Sequence, residues 1–247
     1  MERMNLKGSR IVLTGGATGI GRATAIHCAT LGAGVVVADI NEVDGDSCVS
    51  QIKKLGGEAW FIKTDVSIES DVRNLMSESY RYLGGIDSLV TAAGIARDSM
   101  VPVEDLLEEV WDSTIDINLK GSFLAAKHAV PSMKENGRGV IVMIASGAGV
   151  TSASSTVSYG ASKGGVNGLG MTLAAKLRDH GIRVNVLCPG SITTPLKLGI
   201  IERQVASLGE GARVANSDLG DPVGVAKIIS FLISDDADYI RGAVFTR

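Results

Sequence analysis

Residues 10–31 constrain the fold most. Ile11, Val12 and Leu13 form an apolar run without alternation, as a strand buried on both faces requires. Gly15-Gly16-Ala17-Thr18-Gly19-Ile20-Gly21 follows at once. A helical pattern then covers residues 22–31 and stops at Gly32 and Gly34. Strand, glycine turn and helix in this order form the context that binds a pyrophosphate. Gly15 permits the tight turn, Gly19 lets backbone approach the anion, and Gly21 lets the helix pack close on the strand. Free N–H groups and the dipole at the helix start, at Thr18, Ile20 and their neighbours, favour negative charge.

The same alternation continues along the chain. Short apolar runs at 35–38, 59–62, 88–91, 140–144, 184–187 and 243–245 alternate with helical patterns at 43–54, 67–82, 104–133, 159–179 and 223–233. Gly is frequent at 31 and Pro scarce at 5, which suits tight strand-to-helix turns. Hydrophobic residues make up 45% and charged residues 21%, enough for a large core. The pattern predicts an α/β fold: one Rossmann-type, doubly wound parallel sheet of about seven strands with helices on both faces. Residues 1–247 read as a single domain. Residues 191–221 show weak periodicity, and 191–218 are expected to form a lid over substrate.

Several classes of partner are disfavoured. Net charge is −3 with no basic cluster, so nucleic acid is not expected. No apolar run reaches the roughly 18 residues that span a bilayer, and the N-terminus lacks the apolar stretch of a secretory signal. A cytoplasmic location follows as the expectation. Cys28, Cys48 and Cys188 are far apart and odd in number, as free thiols would be. His27, His128 and His180 show no ligand spacing, so no metal site is expected.

The polar residues at strand ends carry the chemistry. Asp39 closes the second strand, where a carboxylate accepts hydrogen bonds from both ribose hydroxyls and repels a 2′-phosphate. No Arg or Lys stands at positions 18, 40 or 41, which favours NAD over NADP. Asp65 and Val66 lie just past the third strand, where Asp65 either meets an adenine or, like Ser67, caps the next helix. Ala92, Ala93 and Gly94 offer a bare backbone against which a flat cofactor could lie. Asn118 sits among apolar neighbours, as a helix kink or a backbone-bonding Asn. Ser146 follows the fifth strand.

Tyr159 and Lys163 sit four apart, so on a helix they share a face. An ammonium beside a phenol favours the phenolate and is expected to pull the tyrosine's pKa below its usual value of about 10. Such a tyrosine exchanges a proton with an alcohol. The same helix carries Gly160, Gly164, Gly165 and Gly168, which suggests close approach by another backbone, with a second subunit as one source.

Taken together, these motifs resemble the short-chain dehydrogenase/reductase family over nearly the whole chain. Thr14-Gly15-x-x-x-Gly19-Ile20-Gly21 resembles its cofactor motif. Asn118, Ser146, Tyr159 and Lys163 resemble its catalytic tetrad, and Pro189-Gly190 with Thr194 its nicotinamide-carboxamide stretch. The resemblance implies that Tyr159 is the general acid/base, that Lys163 lowers its pKa and holds the nicotinamide ribose, and that Ser146 binds the substrate oxygen. It implies that Asn118 positions Lys163 through water.

The implied activity is hydride transfer between NAD(H) and a small-molecule secondary alcohol or ketone, by a homotetramer. The alternatives are a 3-oxoacyl-thioester reductase using NADPH and a non-catalytic NAD-binding subunit. Pocket residues drawn from 95–101, 147–154 and 191–218 show no charged pair that dictates a charged substrate, and a moderately apolar or cyclic alcohol is expected.

The chain departs from the family in three places. Thr91-Ala92-Ala93-Gly94 replaces Asn-Asn-Ala-Gly, so the first asparagine's bonds to neighbouring strands must be replaced or lost. Residues 216–222 lack a Gly-Arg that relatives carry. Phe245-Thr246-Arg247 stands where relatives continue through Asp-Gly-Gly, which leaves open whether the chain is complete.

Overall fold

The structure, a computed structural model, describes residues 4–208 and 219–246. The strands are β1 (Arg10–Thr14), β2 (Gly34–Asp39), β3 (Glu58–Lys63), β4 (Ser88–Thr91), β5 (Gly139–Ile144), β6 (Ile182–Cys188) and β7 (Val244–Thr246). The α-helices are α1 (Gly19–Thr30), α2 (Glu42–Lys54), α3 (Glu69–Leu83), α4 (Glu108–Ile115), α5 (Gly121–Glu135), α6 (Val157–Leu177), α7 (Pro195–Leu208) and α8 (Pro222–Ile233). The strands make one parallel sheet in the order β3-β2-β1-β4-β5-β6-β7.

Burial on both faces explains the unbroken apolar runs. Ile11 and Leu13 of β1 enter one core layer with Ala25 and Cys28 of α1, Ile52 of α2 and Ile229 of α8. Val12 points the other way, into a layer with Leu75 of α3, Leu124 of α5 and Val166 of α6. β2 and β5 alternate likewise: Val35, Val37, Val140 and Val142 face one layer, and Val36, Ala38, Ile141 and Met143 the other. A strand so placed needs an apolar side chain at every position.

The chain runs from β1 outward to β2 and β3, then returns to β4 on the far side of β1. A crevice opens at such a switch point, beyond the carboxyl ends of the strands. Here the glycine turn and the loop after β4 meet closely. A Cβ on Gly15, whose φ is +70°, would lie 2.4 Å from the Ala93 nitrogen.

Two sequence expectations change in detail. The helical region at 104–133 is a 3₁₀ turn at Val103–Asp105, then α4, a five-residue π turn at Asp116–Lys120, and α5. Residues 191–221 are not wholly irregular, because α7 occupies Pro195–Leu208. Residues 209–218 of the expected lid, with Asn216, Ser217 and Asp218 of the 216–222 stretch, and Arg247 lie outside the described residues.

The glycines of α6 are explained largely within the chain. A Cβ on Gly149 would lie 2.1 Å from the Gly160 carbonyl oxygen, and one on Gly164 would lie 3.0 Å from the Gly149 carbonyl oxygen. Gly165 faces Leu119 at 2.7 Å, and Gly168 faces open space. Within the chain, the close backbone at Gly160 and Gly164 is the loop around Gly149. The three cysteines are free and buried. Thr91 has a buried hydroxyl with no hydrogen-bond partner among the described residues, so its side chain does not supply the strand-bridging bonds expected of an Asn there.

Candidate active site

A cleft of about 830 Å³ runs across the carboxyl ends of the strands. Gly15, Thr18, Gly19, Ile20, Gly21, Asp39, Asp65 and Val66 line it on the side of β1 to β3. Ala93, Gly94, Ser146, Tyr159, Lys163, Pro189, Gly190 and Thr194 line it on the side of β4 to β6. Asn118 is fully buried behind this wall. The fold therefore brings every residue singled out in the sequence to one crevice or its immediate support.

At the glycine turn, Gly21 meets the strand end most closely: a Cβ there would lie 1.9 Å from the Gly15 carbonyl oxygen. Thr18 precedes α1 without bonding its first turn through the side chain, and that turn carries no acidic residue. Helix N–H donors and the positive dipole end therefore face the cleft, a donor set that suits phosphate. Across the cleft, a Cβ on Gly19 would lie 3.1 Å from Thr194 Cγ2.

Asp39 is held by two backbone donors. Ala17 N–H donates to Oδ2 and Asn41 N–H to Oδ1, each at 3.0 Å. Each oxygen keeps a lone pair for a further donor, which fits a ribose diol. Arg22, the nearest candidate to welcome a 2′-phosphate, is occupied by Ala17 and Asp44 carbonyls, Ser47 and Gln51. Asp65 lines the cleft and accepts from Ser67 N–H and Oγ–H at 2.9 and 2.6 Å. Neither residue caps α3; that helix begins after Ile68, and Asp71 of its first turn accepts from Asp65 N–H.

Tyr159 is partly buried on the cleft wall, 5.7 Å from its ring centre to Lys163 Nζ. Burial pushes the phenol's pKa up, and the neighbouring Ser146 hydroxyl pulls it back in part. Burial therefore outweighs the lowering expected from Lys163, and the net shift of the phenol is upward. The ammonium donates instead to the Ile144 carbonyl at 2.7 Å, and burial brings its own pKa down to about 8. Desolvation penalises both charged forms and outweighs their attraction at this separation. Ser146 Oγ accepts Ala148 N–H at 3.2 Å, which leaves its hydroxyl proton free to donate.

Asn118 lies in the π turn, a backbone irregularity that turns its amide inward. Its Oδ1 accepts Ile95 N–H at 2.8 Å, and its Nδ2 donates to the Ile95 carbonyl and to Ser162 Oγ, both at 2.9 Å. Of the two sequence readings, the backbone-bonding one describes this side chain. A Cβ on Gly94 would lie 3.2 Å from Asn118 Oδ1 and 3.5 Å from Lys163 Nζ, so Asn118 borders the lysine.

Three contributors fall within the pocket segments 95–101 and 191–218 but were not singled out there. Asp98 is 1% exposed and accepts Ser158 N–H and Oγ–H, both at 2.9 Å, at the start of α6. A carboxylate there also suits the helix dipole. Arg97 and Lys197 line the cleft. No local pattern distinguishes Asp98, because its partner is 60 residues away. Replacing Asp98 by Ala is expected to cost about 1–3 kcal/mol by orphaning buried donors. Because Ser158 precedes Tyr159, kcat should fall as well; thermal unfolding and steady-state kinetics on the variant check both.

Comparison with known proteins agrees with this geometry. The family model of the short chain dehydrogenases matches residues 9–204. A cis-4-hydroxycyclohexanecarboxylate dehydrogenase of Sinomonas cyclohexanicum is 37% identical over 94% of this chain and 92% of its own. A 3-oxoacyl-(acyl-carrier-protein) reductase of Thermotoga maritima is 36% identical over 98% of this chain and 96% of its own. The crystal structure of levodione reductase superposes with a TM-score of 0.88 at 28% identity, covering 97% of this chain and 95% of that one. The match over this length shows that the chain belongs to the short-chain dehydrogenase family of oxidoreductases.

Proposed function

We propose that the protein transfers a hydride between NAD(H) and a secondary alcohol or ketone, with Tyr159 as general acid/base. The observation that carries this reading is the convergence of Ser146, Tyr159 and buried Lys163 on the wall of the cleft that the glycine turn also lines. The bound nicotinamide supplies or accepts the hydride. Ser146 donates to the substrate oxygen and holds it beside the phenol. In oxidation the Tyr159 phenolate takes the alcohol proton; in reduction the phenol gives that proton to the carbonyl oxygen. Lys163, cationic below about pH 8, favours the phenolate and has donors left for a ribose hydroxyl.

The donor set supports binding of the dinucleotide by these residues. The first turn of α1 suits the pyrophosphate, the backbone from Ala93 to Gly94 suits the nicotinamide half, and Asp39 suits the adenine ribose. Asn118 supports Lys163 by fixing the Ile95 backbone next to it. α7 covers the substrate end: Arg203 donates to the Ala96 carbonyl at 2.6 Å. The relatives named above act on ring alcohols and on 3-oxoacyl thioesters. The ring class fits the small and apolar lining at Ala148, Ile192 and Ile200.

The thioester reading with NADPH draws support from the Thermotoga maritima relative, and Asp39 opposes it. NAD⁺ and NADP⁺ affinities decide between them. The wild type is expected to prefer NAD⁺. Asp39→Ala is expected to weaken NAD⁺ binding about 10- to 100-fold, by losing charge-assisted hydrogen bonds, and to narrow the gap to NADP⁺. Equal or tighter NADP⁺ binding by the wild type would put the thioester reading first. Cofactor binding without turnover on a broad alcohol panel would favour a non-catalytic subunit.

A further inference from the structure

The charges along the cleft are sorted by sign. Asp39 and Asp65 are its carboxylates among the described residues, and both stand at the β2 and β3 side. Its cations, Arg97, Lys163 and Lys197, all stand on the side of β4 to β6, with Ser146 and Tyr159. Such an arrangement raises the local concentration of an anionic ligand at the reacting end.

Two of these cations have other work. Lys163 bonds the Ile144 carbonyl beside Tyr159. Lys197 occupies the first turn of α7, whose preceding residue Thr194 faces Gly19 of the phosphate turn, so it serves the cofactor side. Arg97 has neither assignment. Among the described residues its guanidinium makes no ion pair or hydrogen bond, and the adjacent Asp98 is turned away into its bonds with Ser158.

The backbone around Arg97 is nonetheless fixed on both sides. Asn118 clamps the N–H and carbonyl of Ile95, Arg203 of α7 clamps the Ala96 carbonyl, and Asp98 pins the next residue to α6. The Arg97 residue is exposed at the cleft, on a backbone held from both sides. A guanidinium presented from a rigid segment offers a planar fork that matches a carboxylate. Ile95, Ile192 and Ile200 line the same cleft and suit a carbon skeleton between this fork and Tyr159.

We propose that Arg97 anchors a carboxylate on the substrate, which is therefore a hydroxy or oxo carboxylic acid whose carbinol or carbonyl carbon lies at Ser146 and Tyr159. This rests on the reading of Tyr159 and Ser146 given above, and it replaces the expectation of an uncharged alcohol.

Calorimetry on the protein saturated with NADH tests it, using cyclohexanecarboxylate and its uncharged analogue cyclohexanecarboxamide. The carboxylate is expected to bind at least about tenfold tighter, as one charge-assisted bond allows. Arg97→Gln should abolish that preference with NADH affinity unchanged, while Arg97→Lys keeps part of it. Equal affinities, no measurable binding of either probe, or a preference that survives in Arg97→Gln would each overturn the proposal. Failure of NADH itself to bind would overturn both this proposal and the reading it rests on. Normal NADH binding and a turnover loss in Tyr159→Phe, without the carboxylate preference, would overturn this proposal alone.

Discussion

Replacing Tyr159 by Phe is expected to cut kcat about 10²- to 10⁴-fold in both directions, the range that positioned acid/base groups contribute. Cofactor affinity and folding should change little, since only a hydroxyl on the cleft wall is lost. Single-turnover kinetics with NADH fluorescence separate the two effects. Full turnover by the variant would remove Tyr159 from the proposed mechanism.

The pH dependence of the wild type has a definite sign. Burial raises the phenol's pKa, so the phenolate that oxidation needs is scarce at neutrality and grows with pH. Oxidation should therefore climb into the alkaline range. Reduction, which needs the phenol, should stay level near neutrality and decline only once the phenol ionises. Lys163, with its pKa brought down to about 8, keeps most of its charge at neutral pH and begins to lose its support for the phenolate above that.

The second large effect is expected from Gly21→Ala. Helix propensity alone favours this change by about 1 kcal/mol. Packing opposes it, because the new Cβ would lie 1.9 Å from the Gly15 carbonyl oxygen and 3.0 Å from Gly16 Cα. Both neighbours are backbone, so α1 must move off β1. The clash should dominate, at about 3 kcal/mol or more, which lowers Tm by about 6–12 °C in a chain of this size. The phosphate turn would be displaced with the helix, so NAD⁺ affinity should fall too. Gly168→Ala is the control: it also lies within a helix, but its Cβ meets nothing within 4 Å. That variant should be neutral or slightly more stable. Equal thermal stability of the two variants would show that the approach of α1 to the strand end is not as close as described.

Both glycines lie in helical segments, and the sequence does not say which one tolerates a methyl group. Gly21 was assigned close packing because a phosphate turn precedes it, and the structure agrees. The α6 glycines were assigned a backbone neighbour without its position in the chain, and for Gly160 and Gly164 the fold supplies one. The neighbour is Gly149, which lies before the helix and reaches Gly160 only because the loop after β5 folds back.

What the sequence determined by itself is whatever local chemistry controls. The strands were legible because a strand buried on both faces demands unbroken apolar residues, and Val35-Val36-Val37 has no other good use. The glycine turn was legible because positive φ and close backbone approach exclude side chains at fixed spacings. Tyr159 and Lys163 were legible because four residues make about one helical turn.

Tertiary structure alone decided the rest. α7 was missed because Gly199 and polar residues blur its period, and its burial depends on the loop at residue 96 rather than on its own pattern. The direction of the Tyr159 shift was misjudged because desolvation depends on every neighbour, most of them distant in sequence, whereas the lysine four residues away was visible at once. Asp98, Asn118 and Arg203 acquire meaning only when long-range hydrogen bonds bring them to one short segment. That segment places Arg97 at the cleft, and the proposed carboxylate anchor rests on that placement.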